Sequence, residues 1–184
     1  SLENIKSLIN SGADKVCINS YALKHPDFIS EASAIFGSQC ITVSVDAFHD
    51  KGYKVFNYLE YKPTSSSVVS FVKKIEEMGA GEIFLNSVNR DGSRKGYDTK
   101  LLKMVSNSLT IPVIACGGVG NASHLPLGIT EGNCQAIAAA NIFQHTEHST
   151  IAAKSMMIKK GVEVRLNSDA KYEDFSFDQM GRPF

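Results

Sequence analysis

The feature that most constrains this chain is a repeated switch between two apolar periodicities. Helix-spaced segments such as 2–10 alternate with short β-rich runs such as 15–19, and the alternation continues at short, regular intervals. This pattern predicts βα units around a parallel sheet, because each helix returns the chain to the start of the next strand. Five buried strands are predicted, at 15–19, 40–46, 82–86, 112–115 and 135–139.

Helices are expected between these strands, with proline at a helix start and glycine just past a helix end as the boundary signals. The predicted segments are 2–10, 25–37, 66–78, 98–106, 122–131 and 149–160. Residues 53–59 are predicted to form a small hairpin arm, because aromatic residues alternate with polar ones there. Residues 162–166 are predicted to be a short extended end.

An open doubly wound sheet would show the same alternation, but its G-x-G-x-x-G fingerprint is absent after the first strand. We therefore favour an α/β chain of the (β/α)8 TIM barrel type, which has eight strands in about 250 residues. The 184 residues hold about five strands and open at Ser1 inside a helical pattern, which predicts the C-terminal portion of a barrel. We expect a partial barrel over 1–166 and a tail over 167–184 that either docks or, as we favour, is partly disordered.

Composition argues against several classes of function. The 19 basic and 19 acidic residues cancel, so no basic footprint indicates nucleic acid or an anionic membrane surface. No apolar run approaches the roughly 18 residues of a membrane span. Four cysteines without C-x-x-C spacing indicate a reduced, cytoplasmic protein, and the five histidines, including His145 and His148, lack metal-ligand spacing. We expect no metal and no cofactor.

Asp46 is the candidate catalytic residue. It ends the second strand, and in barrels of this class the reactive groups lie at the C-terminal ends of strands. A carboxylate there can act as a general acid or base once its surroundings tune its pKa. The alternative is a structural carboxylate that pairs with a neighbouring basic side chain.

Glycine-rich and small-residue turns predict phosphate binding. Gly117 and Gly118 follow the fourth strand and lead into a helix, so their backbone N–H groups can approach a phosphate, although such a turn can also be purely conformational. Ala140 and Asn141 follow the next strand and can complete the same site. A second small polar turn at Asn19 and Ser20 is open to two readings, another phosphate site or a helix N-cap.

The polar loop 89–98 is the remaining candidate. It contains Asn89, Asp91 and Gly92 and follows the strand 82–86, which ends at Asn86 and Ser87. Its length and its two glycines are typical of an active-site loop rather than a minimal connection. Asp91-Gly92 can also be a simple tight turn.

Taken together, these segments resemble the HisF family, the cyclase subunits of imidazole glycerol phosphate synthase. The resemblance covers about residues 1–166, through the segments 12–16, 36–39, 45–47, 79–83, 89–92, 96–98 and 117–120. HisF is a (β/α)8 barrel that works with a HisH-type glutaminase. The resemblance implies that ammonia from the glutaminase passes through the barrel. It then attacks a bisphosphorylated ribulosyl aminoimidazole intermediate to give imidazole glycerol phosphate, a step of histidine biosynthesis.

The resemblance also implies roles for individual residues. Asp46 would be one of two acid–base aspartates, and the second would lie on the first strand of the barrel, upstream of this chain. The 184-residue chain alone is therefore expected to be inactive. The substrate phosphates would be bound by Asn19, Ser20, Asp91, Gly92, Gly117, Gly118, Ala140 and Asn141, and the substrate pocket would include Asn86, Ser87 and Asn89. Lys15 and Glu82 would form half of a charged ammonia gate, and Asp14 would face the glutaminase. Without the family context, Lys15 and Glu82 would be an ordinary ion pair.

Three positions depart from the family pattern. Asn86 stands where the histidine-pathway enzymes usually have Thr, Asn89 replaces an Asp, and Cys116 stands where Ser is usual. These departures resemble HisF paralogues of surface-polysaccharide (lipopolysaccharide) loci. In that alternative, the barrel conducts ammonia to an enzyme that amidinates a nucleotide sugar and has no cyclase activity of its own.

Overall fold

The computed structural model describes residues 1–144, 149–179 and 181–183. Its described part contains one sheet, in which five strands run parallel in the spatial order β1-β2-β5-β6-β7, and β3 and β4 extend β2 as an antiparallel hairpin. The strands are β1 (Val16–Ile18), β2 (Ile41–His49), β3 (Tyr53–Asn57), β4 (Lys62–Ser67), β5 (Glu82–Ser87), β6 (Val113–Cys116) and β7 (Ala136–Ile137). The predicted α/β fold with a parallel sheet is confirmed, and it matches five βα units of a (β/α)8 barrel.

The helices connect these parallel strands. They are α1 (Leu2–Asn10), α2 (Ser20–Lys24), α3 (Asp27–Phe36), α4 (Val68–Glu77), α5 (Thr99–Ser106), α6 (Leu125–Thr130) and α7 (Thr150–Lys159), with 3-10 turns at Ser38–Cys40, Ala122–His124 and Asn141–Gln144. Side-chain caps fix several starts. Ser67 accepts from the backbone N–H of Ser70 ahead of α4, and Asp98 accepts from that of Leu101 ahead of α5.

The core lies between the helices and one face of the sheet. Val43 and Val45 of β2 are buried on this face, in one apolar cluster with Ile75 of α4 and Leu101 of α5. Because side chains alternate along a strand, Ser44 between these valines lies on the opposite face, as do Thr42 and Asp46 on either side of them. That second face carries the polar side chains of interest.

The hairpin differs most from the prediction. The expected arm at 53–59 is present as β3, but it pairs with a second strand, β4, over residues that were assigned partly to a helix. Lys62–Ser67 contains proline and four consecutive hydroxyl residues, which have no strand-like pattern, so this strand could not be recognised from its residues alone. The helix predicted from 66 begins at Val68.

Three smaller differences between prediction and structure concern short elements. Five-residue α2 was missed, because it is too short to show a helical period. The strand predicted at 135–139 has only two residues, Ala136–Ile137. The expected extended end at 162–166 forms no strand.

The described part of the tail contacts α7. Lys159 donates a hydrogen bond to the backbone carbonyl of Phe175, and its ammonium lies 5.1 Å from the ring centroid of Phe177. Phe177 forms an antiparallel bridge with Pro183. These contacts are those of the docked alternative, and the partial disorder that we favoured stays a prediction.

None of the described helices is long and apolar enough to cross a bilayer. Within the described residues, no three His, Cys, Asp or Glu side chains are grouped so that they could hold a metal ion. His145 and His148 lie outside the described residues.

Candidate functional site

Asp46 lies at the centre of the site. It is only 4% exposed, and each of its carboxylate oxygens accepts one amide hydrogen bond. Asn19 Nδ2 donates to Oδ2 over 2.8 Å, and Asn86 Nδ2 donates to Oδ1 over 2.9 Å. The alternative of a carboxylate paired with a basic side chain is not what the described residues show, because both partners are neutral amides.

Strand register places these three side chains together. Asp46 of β2 lies opposite Asn86 of β5 in the parallel pair. Asn19 follows β1, which pairs with the first half of β2. The C-terminal parts of three adjacent strands therefore supply one carboxylate and two amides, as expected for the carboxyl edge of a parallel sheet. Contrary to the prediction, Asp46 does not end its strand, because β2 continues to His49 in its pairing with β3.

Asn19 does not act as a helix cap. It occupies the N-cap position of α2 but makes no side-chain capping bond, and Ser20 is the first residue of that helix. Its amide donates instead to Asp46 and, over 3.3 Å, to Ser44 Oγ. The alternative that the Asn19 side chain caps the helix is therefore wrong, and this side chain lies on the polar face of the sheet.

Asn86 keeps one unused polar atom. Its Oδ1 is buried and has no hydrogen-bond partner among the described residues. Buried acceptors of this kind are uncommon, and one beside a functional site indicates a ligand or water donor. Gly117 lies against it, because a Cβ added at Gly117 would be 2.8 Å from this oxygen.

A cavity of about 210 Å³ lies at the ends of β5, β6 and β7. Six of the eight predicted phosphate-binding residues line it, namely Asp91, Gly92, Gly117, Gly118, Ala140 and Asn141. We call it the glycine cavity. The other two predicted residues, Asn19 and Ser20, lie apart from it, at the end of β1 beside Asp46.

Backbone geometry explains the glycines. Gly117 and Gly118 have φ values of 93° and 98°, which side chains rarely adopt. A Cβ at Gly118 would lie 2.3 Å from the carbonyl oxygen of Gly96. Among the described residues, the N–H groups of Gly92 and Gly118 donate to no backbone carbonyl, so both remain available to an anion.

Two hydrogen bonds join the walls of the glycine cavity. The Gly96 N–H donates to the Gly118 carbonyl over 2.8 Å, which joins the polar loop 89–98 to the turn after β6. The buried Tyr97 hydroxyl donates to the Ala138 carbonyl over 2.9 Å, which ties the same loop to the end of β7. The segment that contains Tyr97 was noted in the sequence, but its hydroxyl contact across 41 residues left no local signal.

The predicted pocket residues Asn89 and Ser87 position the loop. Asn89 accepts from the His49 N–H over 2.7 Å and donates to the His49 carbonyl over 3.1 Å, so it fastens the loop to the end of β2. Ser87 is buried, and its carbonyl accepts from the N–H groups of Arg90 and Asp91. Their roles as ligand contacts stay predictions.

Burial and neighbouring carboxylates raise the pKa of two side chains near the site, Cys116 and Tyr53. Burial, followed by the charge of Asp91, raises the pKa of the Cys116 thiol to about 11. Burial and then Asp98 raise the pKa of Tyr53 to about 12, and the Tyr53 hydroxyl donates to both Asp98 oxygens. Tyr53 was not singled out from the sequence, because its partner is 45 residues away.

A charged group lies at the other end of the same strands. Lys15, just before β1, forms an ion pair with Glu82, the first residue of β5, and Thr42 donates to the second Glu82 oxygen over 3.2 Å. Glu82 precedes Asn86 by four positions on β5, and Asn86 lies opposite Asp46. The Lys15–Glu82 pair therefore lies on the order of 13 Å from Asp46 along the strands. Asp14 is exposed at the same end.

Similarity to known proteins identifies the family of this chain. A family model described as "Histidine biosynthesis protein" matches residues 1–149. The chain is 55% identical over 185 aligned residues to the "Putative imidazole glycerol phosphate synthase subunit hisF2" of Vibrio vulnificus (strain YJ016), an alignment that covers 100% of this chain and 68% of that protein. The chain is therefore a HisF-like member of the histidine biosynthesis protein family.

Proposed function

We propose that this chain is an ammonia-dependent cyclase subunit of imidazole glycerol phosphate synthase. It would convert the bisphosphorylated ribulosyl aminoimidazole intermediate to imidazole glycerol phosphate and an aminoimidazole ribotide. The observation that carries the proposal is a buried carboxylate, Asp46, held by two amides beside a cavity with free backbone N–H donors. Family membership supports the same reaction class.

Asp46 would transfer protons during ring closure. A carboxylate can serve as a general acid or base when it is fixed within reach of the reacting group. The amides of Asn19 and Asn86 fix the Asp46 carboxylate without neutralising it, because neither donor is charged. In the family, a second aspartate shares this work.

The glycine cavity would anchor one substrate phosphate. The free N–H groups of Gly92 and Gly118 can donate to phosphate oxygens, and the close backbone approach leaves room for the anion instead of a side chain. Asn19 and Ser20 would contribute to the site of the second phosphate. Two anchored ends would hold the reacting centre between them, next to Asp46.

Ammonia would enter at the opposite end of the sheet. A HisH-type glutaminase would dock near Asp14, and the Lys15–Glu82 pair would open to admit ammonia to the polar face. Thr42, Ser44 and Asp46 follow one another along this face of β2 toward the proposed reaction site. The chain and a glutaminase would then form a heterodimer.

Asn86 favours a second candidate function. Its amide engages Asp46 directly, where the histidine-pathway enzymes usually have Thr. A carboxylate held by two amides can be structural, in which case the chain would only conduct ammonia. That ammonia would support amidination of a nucleotide sugar in surface-polysaccharide synthesis.

One assay separates the two candidates. The complete protein would be given ammonium and the ribulosyl aminoimidazole substrate, and imidazole glycerol phosphate would be measured by mass spectrometry. The proposal predicts turnover that saturates with ammonium. A folded chain that binds the phosphorylated substrate but forms no product would reject the cyclase and favour the ammonia-conducting role.

A further inference from the structure

Four aromatic side chains pack together at the β3–β4 hairpin, and we call them the aromatic cap. They are Phe48 of β2, Phe56 of β3, and Tyr58 and Tyr61 of the turn between β3 and β4. Phe56 is at the centre of the cap. The ring centroid of Phe56 lies 5.8 Å from that of Phe48, 5.0 Å from that of Tyr58 and 5.6 Å from that of Tyr61. The two tyrosines meet Phe56 edge-on, an arrangement that aromatic rings favour. The cap is therefore a packed unit rather than four separate side chains.

The aromatic cap continues the face of the sheet that carries Asp46. Side chains two residues apart on a strand share a face, so Asp46 and Phe48 lie on the same side of β2. β3 runs antiparallel to the outer end of β2, with Lys54 opposite Phe48, and Phe56 is two residues beyond Lys54. Phe56 is thereby placed on this face as well.

Tyr58 connects the cap to both parts of the candidate site. Burial, followed by the charges of Asp46 and Asp91, raises the pKa of its hydroxyl. Asp46 is the acid–base candidate, and Asp91 lines the glycine cavity. Tyr58 also packs edge-on against Phe56, whose ring contacts that of Phe48, two residues after Asp46. Asp46 accepts a hydrogen bond from Asn86, and Asn86 lies against Gly117 of the glycine cavity.

The two tyrosine rings retain free surface. Tyr58 is 43% exposed and Tyr61 is 80% exposed, and neither hydroxyl has a hydrogen-bond partner in the described part of the chain. Tyr61 also has a left-handed backbone, with φ of 51°, which bulky residues rarely adopt. The turn between β3 and β4 therefore exposes two aromatic rings that a ligand can contact.

We propose that Tyr58 and Tyr61 form a stacking platform for a planar heteroaromatic ring, carried by the same ligand whose phosphate lies in the glycine cavity. Aromatic side chains stack on any flat nitrogen heterocycle, and the free hydroxyls can bond its substituents. The platform selects ligands that have both a phosphate and such a ring. The proposal rests on the phosphate site of the proposed function but not on cyclase chemistry.

Two matched ligands test the platform. An aminoimidazole ribotide and ribose 5-phosphate share the phosphate and the pentose, but only the ribotide has the ring. Both would be titrated into the full chain by calorimetry. The wild-type chain is expected to bind the ribotide at least about tenfold more tightly, because stacking on an aromatic side chain contributes that much per base.

The variants remove the rings one at a time. Tyr58→Ala and Tyr61→Asn are each expected to weaken ribotide binding about tenfold while ribose 5-phosphate binding stays within about twofold. Asn is chosen at position 61 because it tolerates the left-handed backbone. Tyr58→Phe keeps the ring and should keep the preference for the ribotide. Leu59→Ala removes an exposed apolar side chain from the same tip and serves as the matched control.

The outcomes are distinct. Two results would overturn the platform but not the phosphate site. In the first, Tyr58→Ala and Tyr61→Asn weaken the binding of both ligands equally. In the second, they leave ribotide binding unchanged. A wild-type chain that binds neither ligand would overturn the phosphate site and the platform together. Circular dichroism melts of every variant establish that the fold is retained, and the comparison of Tyr58→Phe with Tyr58→Leu isolates the ring if Tyr58→Ala melts early.

Discussion

Asn86 donates from Nδ2 to Asp46 Oδ1 over 2.9 Å, from the position on β5 directly opposite Asp46 on β2. The contact is a consequence of register, since a slip of one residue would move either side chain to the helix-covered face. It joins the candidate acid–base group to the strand whose following loop forms one wall of the glycine cavity.

Removing the Asn86 amide should destabilise the chain. Asn86→Leu takes one of two donors from a buried carboxylate, and an unsatisfied buried charged group costs about 1–3 kcal/mol. Urea unfolding would measure the loss. Asn107→Ala removes an exposed side chain whose Oδ1 accepts a hydrogen bond from Asn133 Nδ2, and it should change the unfolding free energy by less than about 0.5 kcal/mol. Equal effects of the two variants would contradict this account.

Two glycines of the cavity should respond differently to alanine. Gly118→Ala combines a left-handed backbone with a Cβ 2.3 Å from the Gly96 carbonyl oxygen, so it should destabilise the loop and abolish phosphate binding. Gly92→Ala meets open space and should cost only the conformational strain, about 1–2 kcal/mol. Thermal melts and titration with inorganic phosphate would measure both. Retained phosphate binding in Gly118→Ala would show that the anion binds elsewhere.

Cys116 should be a slow nucleophile. Its pKa is raised to about 11, so at pH 8 the thiol is almost entirely protonated, and the thiolate is the reactive form. Alkylation by iodoacetamide, followed by peptide mass spectrometry, should accelerate about tenfold per pH unit as the pH rises toward that value. The same peptide in urea-unfolded chain should react rapidly at pH 8. Fast labelling of folded Cys116 at pH 8 would be inconsistent with the buried site.

His124 should make the chain sensitive to mild acid. Its Nδ1 accepts from the Gly120 N–H, and burial lowers its pKa below 6.5. The unfolded chain therefore binds a proton first as the pH falls through 6.5, so stability is lost below that value and is fully present above it. Urea midpoints between about pH 7.5 and 5.5 would fall for the native chain and fall less for His124→Gln. His25→Gln, at an exposed position, should leave the slope unchanged.

Local sequence patterns predicted the parallel strands and the position of Asp46 well. Alternating periodicity and glycine stops are local signals, and they locate the parallel strands. The strand ends are less accurate, because β2 continues three residues past Asp46 to His49 and the strand predicted at 135–139 is only Ala136–Ile137. The Gly117 and Gly118 turn and the 89–98 loop were also identified, and the structure brings both to one cavity.

Contacts distant in sequence were not predictable in this way. The amide bonds to Asp46 span 27 and 40 residues, and the Tyr97 bond to Ala138 spans 41, so none leaves a local pattern. The second strand of the hairpin was missed because Lys62–Ser67 is polar and contains proline. Its strand conformation comes from pairing with β3, which is a tertiary effect.

The most direct test of the central claim is ammonium-dependent turnover by the Asp46→Asn variant of the complete protein. The substitution keeps the size of the side chain and removes its capacity to transfer a proton. The account predicts that kcat falls at least about a hundredfold, with phosphate-ligand binding retained. Asp50→Asn, at an exposed position just past β2, is predicted to match the wild type. Unchanged turnover in Asp46→Asn would contradict the assignment of Asp46 as the acid–base residue.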